Sequence, residues 1–234
     1  MTILSHLWNK ISCAHLSIVA VFSLLILQQL NAPHVLAYNC GDAFSGHCYG
    51  QVGWTANDGT YWGGYSQIQV VRLSCIGCYP NGAVSKELWL VANDSYYVGV
   101  TGNFWVEAGY RTYSQSNSFW VEYFWADNRP RWGYIARPIT YVGDNDKDAY
   151  ITIKHSGTYQ FEIDINTNSG RLPSDYSTNN GMIPNGVAIG EEVSGTGGAD
   201  SDTSSYTHNE WVDNNSDAHY QTSDGYINPN TTPI

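Results

Sequence analysis

The segment from Tyr150 to Ile165 reads YITIKHSGTYQFEIDI, and it carries the signal that decides the fold class. Apolar and polar residues alternate on both sides of its centre, which is typical of half-buried β-strands. In the second arm the apolar face consists of Tyr159, Phe161, Ile163 and Ile165. Gln160, Glu162 and Asp164 form the other face, which we expect to meet solvent. His155 to Thr158 is a turn signal, so the segment predicts a β-hairpin.

The same period of two recurs along the chain. Further strands are predicted at Gln67–Leu73, Glu87–Val91, Asn103–Tyr113, Phe119–Trp125 and Val187–Ser194, and weaker ones at Ser204–Trp211 and Ala218–Thr222. No window has the 3.6-residue period of a long amphipathic helix. The stretch from Leu172 to Pro184 is typical of a loop. We therefore expect an all-β protein, an antiparallel β-sandwich or jelly roll of lectin-like type with one domain.

The composition agrees with this fold class and excludes several functions. Only 13% of the 234 residues are charged and 14% are aromatic, and the formal net charge is -11. A chain with so few basic residues cannot neutralise a phosphate backbone, so no nucleic-acid partner is expected. The many aromatic residues argue against intrinsic disorder. A surface that does not depend on ion pairs suits an acidic medium.

The N-terminal segment has the features of a secretory signal peptide. Leu16 to Leu27 reads LSIVAVFSLLIL, the length of a signal-peptide core and short for a membrane span. Val35-Leu36-Ala37 predicts cleavage after Ala37, and an uncleaved anchor is the alternative. Removing residues 1–37 takes Lys10 but no acidic residue, so the remaining 197 residues carry a charge of -12. We expect a secreted monomer without membrane association, with one domain over 38–227 and a flexible tail over 228–234.

Four cysteines follow the predicted signal: Cys40, Cys48, Cys75 and Cys78. An even number in an exported protein predicts two disulfides. The simplest of the three possible pairings joins Cys40 to Cys48 and Cys75 to Cys78. The short spacing of the second pair also occurs in zinc sites and redox motifs. A zinc site would need a further close pair of ligands, and a redox motif would need a strand–helix context, so we favour disulfides.

The acidic segment Asp144 to Asp148 has the alternating acids of a calcium loop. It lacks the glycine that should follow, and His155 stands where the bidentate glutamate belongs. A solvated acidic turn is therefore the favoured interpretation. The sequence has no phosphate loop and no His-Glu-x-x-His motif, so we expect neither a cofactor nor a metal ion.

Two predicted strands contain glutamates, which are costly to bury unless they are solvated or paired. Alternation places Glu107 on the same face as Gly109, which leaves space beside the carboxyl. In the later strand Glu192 shares a face with small residues, whereas Glu191 points the other way. Two carboxyls in a partly desolvated cleft would differ in pKa, so that one could act as general base and the other as general acid. The alternative is that both glutamates are solvent-facing residues.

The segment around Glu107 resembles a catalytic motif of known peptidases. Asn103 to Tyr110, NFWVEAGY, is similar to the Ile-Glu-Ala-Gly-Trp motif of neprosin-type glutamic peptidases. Phe119 to Asp127 resembles that family's Tyr-Trp-Thr-Ala-Asp strand, and Ile189 to Val193 resembles its second motif, Trp-Gly-Gly-Glu-Val. The strand order is also similar to that of the eqolisins, in which a Gln in a Gln-Ala-Gly setting is the first catalytic residue. The resemblance covers roughly Tyr49 to Ser194.

The resemblance implies a β-sandwich endopeptidase in which two glutamates face each other and activate a water molecule against a peptide bond. Carried over by position, these are Glu107 and Glu192. A shift of the second motif by one residue would make Glu191 the match instead. Trp105 and Trp125 are then expected to contact the polypeptide substrate. One carboxyl of the pair must stay protonated, so activity should favour acidic pH.

Two other functions fit the same residues. Exposed aromatic side chains on a sheet stack on sugars, so a carbohydrate-binding β-sandwich without catalysis is one alternative. A glycoside hydrolase is the other, because it also uses two carboxyls, ~5–9 Å apart. A lectin does not need Glu107 and Glu192 to meet, whereas both hydrolases do.

Overall fold

The computed structural model describes residues 34–35, 47–55, 61–76, 83–97, 100–115, 118–129, 133–178, 180–194, 198–201, 204–220 and 226–229. The predicted signal-peptide core and the cleavage site after Ala37 lie outside the described residues. So do Cys40 and Cys78 and the side chains of Cys48 and Cys75, on which the predicted disulfides depend.

All the regular secondary structure in the described ranges consists of β-strands. The strands are β1 (His34–Val35), β2 (His47–Thr55), β3 (Gly63–Gln69), β4 (Leu73–Ile76), β5 (Ala83–Tyr97), β6 (Val100–Gln115), β7 (Ser118–Arg129), β8 (Gly133–Tyr141), β9 (Asp148–His155), β10 (Gln160–Thr167), β11 (Gly170–Arg171), β12 (Asp175–Thr178), β13 (Gly186–Ser194), β14 (Gly198–Ser201), β15 (Ser204–Val212), β16 (Ala218–Tyr220) and β17 (Tyr226–Pro229). Across the described residues, no helix has the length and apolar character needed to cross a bilayer.

The strands form two main sheets in which all neighbours run antiparallel. The sheet that we call the front sheet has the order β17-β2-β13-β5-β6-β7-β8. The back sheet has the order β1-β15-β3-β9-β10-β11, with β12 paired to β10 and β16 paired to β15. Strands β4 and β14 form a separate pair. The chain is therefore an antiparallel β-sandwich, which confirms the predicted all-β fold class.

The core lies between the two sheets and follows the alternation of the strands. The predicted hairpin is confirmed, because β9 and β10 pair from Ala149–Thr167 to His155–Phe161. From the back sheet, Ile153 and Ile163 enter the core, where Leu88 of the front sheet joins them. Burying one such side chain stabilises the fold by about 1.5–3 kcal/mol.

The structure corrects three predictions about polar segments. Asp164, expected to face solvent, is only 7% exposed, and its Oδ1 accepts a hydrogen bond of 2.7 Å from Arg171. The predicted loop 172–184 contains β12, which pairs with β10 and continues the back sheet. The predicted flexible tail begins inside β17, where Asn228 and Pro229 pair with β2, and residues 230–234 lie outside the described ranges. In each case the outcome depends on a partner in another strand, which the alternation pattern does not reveal.

Strand boundaries also differ from the prediction. The strand expected over Gln67–Leu73 is divided between β3 and β4, which belong to different sheets. Strand β8 was not predicted, and its residue Pro138 lies beside an irregularity in the pairing with β7. Because β8 is the last strand in the described order of the front sheet, this proline leaves no inner ladder incomplete.

Candidate active site

Three adjacent strands of the front sheet place three glutamates on one face. In the order β13-β5-β6, Glu87 of β5 stands opposite Gly190 on one side and Gly109 on the other. On β5, the residue two positions after Glu87 stands opposite Glu107 of β6. The residue two positions before Glu87 stands opposite Glu192 of β13. Residues two apart on a strand share a face, so the three side chains project from the face turned away from the back sheet.

The three carboxyls are close together. One oxygen each from Glu87, Glu107 and Glu192 lies within 4.8 Å of the other two. Glu87 is 1% exposed and Glu107 is 4% exposed, whereas Glu192 is half-buried and connects the cluster with solvent. We call these residues the glutamate cluster. Glu107 and Glu192 thus meet as two of its members, a geometry that a lectin would not require.

Two glycines provide the space around Glu87. A Cβ at Gly109 would lie 2.0 Å from the carbonyl oxygen of Lys86, and one at Gly190 would lie 2.1 Å from that of Gly50. Gly190 also has a φ of +156°, which side-chain-bearing residues rarely adopt. The positions on both sides of Glu87 therefore cannot carry side chains unless the strands move.

The surroundings favour the protonated form of the two buried glutamates. Burial, assisted by the nearby Glu192 carboxylate, raises the pKa of Glu107 to about 8. A hydrogen bond of 2.8 Å from Nε1 of Trp89 to Oε2 of Glu107 opposes this rise. Burial also raises the pKa of Glu87 well above its ordinary value, and the charges of Glu107 and Glu192 add to the rise. Both carboxyls are accordingly neutral in acidic solution.

Glu191 lies on the opposite face of β13, between the two sheets. Its Oε2 accepts from Nζ of Lys86, the residue directly across from it on β5, and both side chains are buried. A buried charge of this kind needs such a partner. Glu192, and not Glu191, is thus the residue beside Glu107.

The two tryptophans expected to contact substrate have different surroundings. Trp105 is half-buried on the face of the glutamate cluster and packs against the group formed by Trp89, Val91 and Ala188. Trp125 is 0% exposed, and its Nε1 donates a hydrogen bond of 2.6 Å to Asp175. The prediction for Trp125 is wrong, because its strand position directs it into the core.

An ion pair borders the cluster on β6 and β7. Arg111 donates from Nε and Nη2 to Oε1 of Glu122, at 3.0 and 2.9 Å. The same guanidinium lies 4.4 Å from the ring centre of Phe124. Arg111 is therefore held mainly by Glu122, and its charge lowers the pKa of Glu107 only as a minor effect.

The acidic segment 144–148 forms a turn, as expected. The carboxylate of Asp146 accepts hydrogen bonds from the backbone N–H of Gly143 at 2.9 Å, from Tyr123 at 3.0 Å and from Ser169 at 2.6 Å. The protein itself supplies these donors, so hydrogen bonds within the chain organise the turn.

Glu87 is the member of the cluster that the sequence analysis missed. A signal for it exists, since alternation in Glu87-Leu88-Trp89 places Glu87 and Trp89 on one face, as it does for Glu107 and Gly109. The pattern does not reveal that β5 lies between the strands of Glu107 and Glu192. That neighbourhood depends on strand order, which joins segments distant in sequence.

Two solved structures have a similar fold. One is scytalido-glutamic peptidase with a transition state analog inhibitor, with a TM-score of 0.54 and 10% identity over 77% of this chain and 86% of that one. The other is SCP-B, a member of the eqolisin family of peptidases, in a complex with the tripeptide Ala-Ile-His, with a TM-score of 0.50 and 10% identity over 79% and 86%. No protein-family model matches the sequence, and no curated protein is significantly similar to it. The chain thus has the β-sandwich fold found in eqolisin-type glutamic peptidases.

Proposed function

We propose that the protein is a secreted, acid-active glutamic endopeptidase that hydrolyses polypeptides with Glu107 and Glu192. The observation that carries this proposal is the contact of the two carboxyls, within 4.8 Å, on a sandwich of eqolisin-like fold. The resemblance of NFWVEAGY and IGEEV to the two neprosin-type motifs supports the same residues, and the apolar segment 16–27 supports export.

The unequal surroundings of the pair suggest their roles. Glu107 is buried and its pKa is raised to about 8, so it holds a proton in acidic solution and can act as general acid. Glu192 is half-buried and in contact with the solvent that supplies the attacking water, so we assign it the role of general base. A carboxyl pair with opposite protonation states is what hydrolysis by an activated water requires.

The reaction then proceeds with a balanced proton count. Glu192 takes a proton from water while the water oxygen bonds to the peptide carbonyl carbon. Glu107 polarises the carbonyl oxygen and then donates its proton to the leaving nitrogen as the C–N bond breaks. One proton has moved onto Glu192 and one has left Glu107, so a proton transfer between the two restores the starting state.

Cleavage of a denatured protein at about pH 3–5 tests the proposal. We expect Glu107→Gln and Glu192→Gln each to lower kcat by about 10²–10⁴-fold. Glu107→Gln should retain more activity, because a glutamine N–H can still donate to the carbonyl oxygen. Glu162→Gln is the matched control, since Glu162 pairs with Lys154 on the back sheet.

Unchanged cleavage in both variants would rule out the two-glutamate mechanism. Hydrolysis of a polysaccharide in place of a protein, lost in the same two variants, would favour the glycoside hydrolase instead.

A further inference from the structure

The glutamate cluster contains more carboxyl groups than the proposed reaction uses. Hydrolysis requires two carboxyls, yet Glu87 brings a third, with an oxygen within 4.8 Å of an oxygen of each partner. The guanidinium nearest in the sheet, Arg111, already makes two hydrogen bonds to Glu122. With all three carboxyls ionised the cluster carries three negative charges in a largely buried place, which is unfavourable unless a cation compensates them.

A second observation points to a ligand at this place. Oε2 of Glu87 is buried, and no hydrogen-bond partner for it exists among the described residues. Its side chain is 1% exposed and stands between Gly190 and Gly109, on the face from which Glu107 and Glu192 project. Buried polar atoms in native proteins nearly always have a partner. The Glu87 carboxyl has hydrogen bonds to Ser85 and Glu107, and they leave this oxygen without a partner.

The spacing and the type of the donor atoms define the ligand. Oxygens bound to one Ca²⁺ at ~2.3–2.6 Å can be at most about 5 Å apart, which the spacing of the cluster satisfies. All three donors are carboxyl oxygens, and the cluster includes no histidine or cysteine. Such a donor set suits hard cations such as Ca²⁺ or Mn²⁺ and does not suit a structural zinc site. The half-buried Glu192 leaves a side on which water can complete the coordination.

We infer that Glu87, Glu107 and Glu192 form a binding site for a hard divalent cation of the Ca²⁺ type, and that the bound ion keeps the site inactive by occupying both reactive carboxyls. The binding stands on the geometry of the cluster alone. The inhibitory consequence rests on the proposed peptidase function. A peptidase of this kind would be restrained after export by an ion and not only by pH.

Terbium luminescence tests the binding directly. Tb³⁺ replaces Ca²⁺ in oxygen sites and emits strongly when an excited indole lies nearby. The indole of Trp89 contacts Glu107, at 2.8 Å from Nε1 to Oε2. The full chain, freed of metal by a chelator and held at neutral pH, should give saturable sensitised emission that excess Ca²⁺ reverses. Trp89→Phe should weaken the emission per bound ion, because the nearest sensitiser is removed.

Variants locate the ion. Loss of one carboxylate of three should weaken Tb³⁺ and Ca²⁺ binding by at least about tenfold in Glu87→Gln and in Glu192→Gln. Glu192 is half-buried, so its variant keeps the test valid even if Glu87→Gln does not fold. Glu162→Gln should bind like the wild type. Absence of emission would overturn the inference. Equal binding in the wild type and Glu192→Gln would overturn it too, and would place the ion elsewhere, for example at the turn 144–148.

The same experiments separate this inference from the proposed function. Ca²⁺ binding without proteolysis under any condition would retain the cation site and reject the peptidase. Proteolysis that depends on Glu107 and Glu192, but with no Tb³⁺ binding and no inhibition by Ca²⁺, would retain the peptidase and reject the cation site.

Discussion

The pH dependence of stability in Glu107→Gln is the most direct test of the buried carboxyl. In the folded protein the pKa of Glu107 is about 8, against an ordinary value of 4.5. Below pH 4.5 the Glu107 carboxyl is protonated in both the folded and the unfolded chain, and its favourable contribution to the free energy of unfolding is fully present. As the pH rises, the unfolded chain ionises while the folded chain keeps its proton, so stability falls until the pH passes the folded pKa.

The size of the effect follows from the shift. A change from 4.5 to about 8 is 3.5 units, and one unit corresponds to ~1.36 kcal/mol, so the loss is on the order of 5 kcal/mol. That is a large part of the ~5–15 kcal/mol that stabilises an ordinary domain. Glutamine is similar in shape, stays neutral and can accept the hydrogen bond from Trp89. Glu107→Gln should therefore remove most of this decline.

Urea unfolding at a series of pH values between 4.5 and 8 measures the difference. The comparison uses the slope of unfolding free energy against pH, so a constant cost of the substitution cancels. Glu162→Gln, in an ion pair with Lys154, should keep the wild-type slope in this range. Parallel curves for the wild type and Glu107→Gln would refute the burial of a neutral carboxyl at this position, whatever the protein's activity.

Four further substitutions test the contacts of the strands that carry the cluster. Trp89→Phe removes a hydrogen bond that lowers the pKa of Glu107, so the NMR titration of that carboxyl should move to higher pH. An unmoved titration would contradict the hydrogen bond between Trp89 and Glu107. Gly109→Ala forces a Cβ to within 2.0 Å of a backbone oxygen and should destabilise the fold by about 1–3 kcal/mol or more in urea; wild-type stability would disprove the close approach. Lys86→Met removes the ammonium group that pairs with the buried Glu191 and should cost about 3–5 kcal/mol, whereas adding Glu191→Leu should recover most of this loss in thermal unfolding; an equally unstable double variant would contradict the ion pair.

The fold class could be read from the sequence because alternation is a local property. Residues 161, 163 and 165 are buried as their period predicts, since a strand with one apolar face must place that face against a core. The opposite orientations of Glu191 and Glu192 follow from the same rule. Local pattern, however, does not say which face of a strand points inward. The pattern of β7 alone therefore does not distinguish a Trp125 that faces substrate from one that, as in the structure, lies in the core.

The complete site could not be predicted, because it depends on which strands become neighbours. Glu87 precedes Glu107 by 20 residues, and Glu192 follows Glu107 by 85. Only the order β13-β5-β6 brings them together. Asp164 likewise finds its hydrogen-bond partner, Arg171, on a neighbouring short strand. Pairing between distant segments is decided by the whole sandwich and has no signature within a single window.

The buried ion pair between β5 and β13 has a consequence for how accurately the chain must fold. Lys86 and Glu191 point inward while their neighbours Glu87 and Glu192 point outward. A slip of β5 by one residue would reverse every side chain on that strand. It would carry a glutamate into the core without its lysine and would remove a carboxyl from the cluster at the same time. The ion pair between Lys86 and Glu191 thus makes the misaligned sheet unfavourable. A register slip that would remove a carboxyl from the cluster therefore also prevents stable folding.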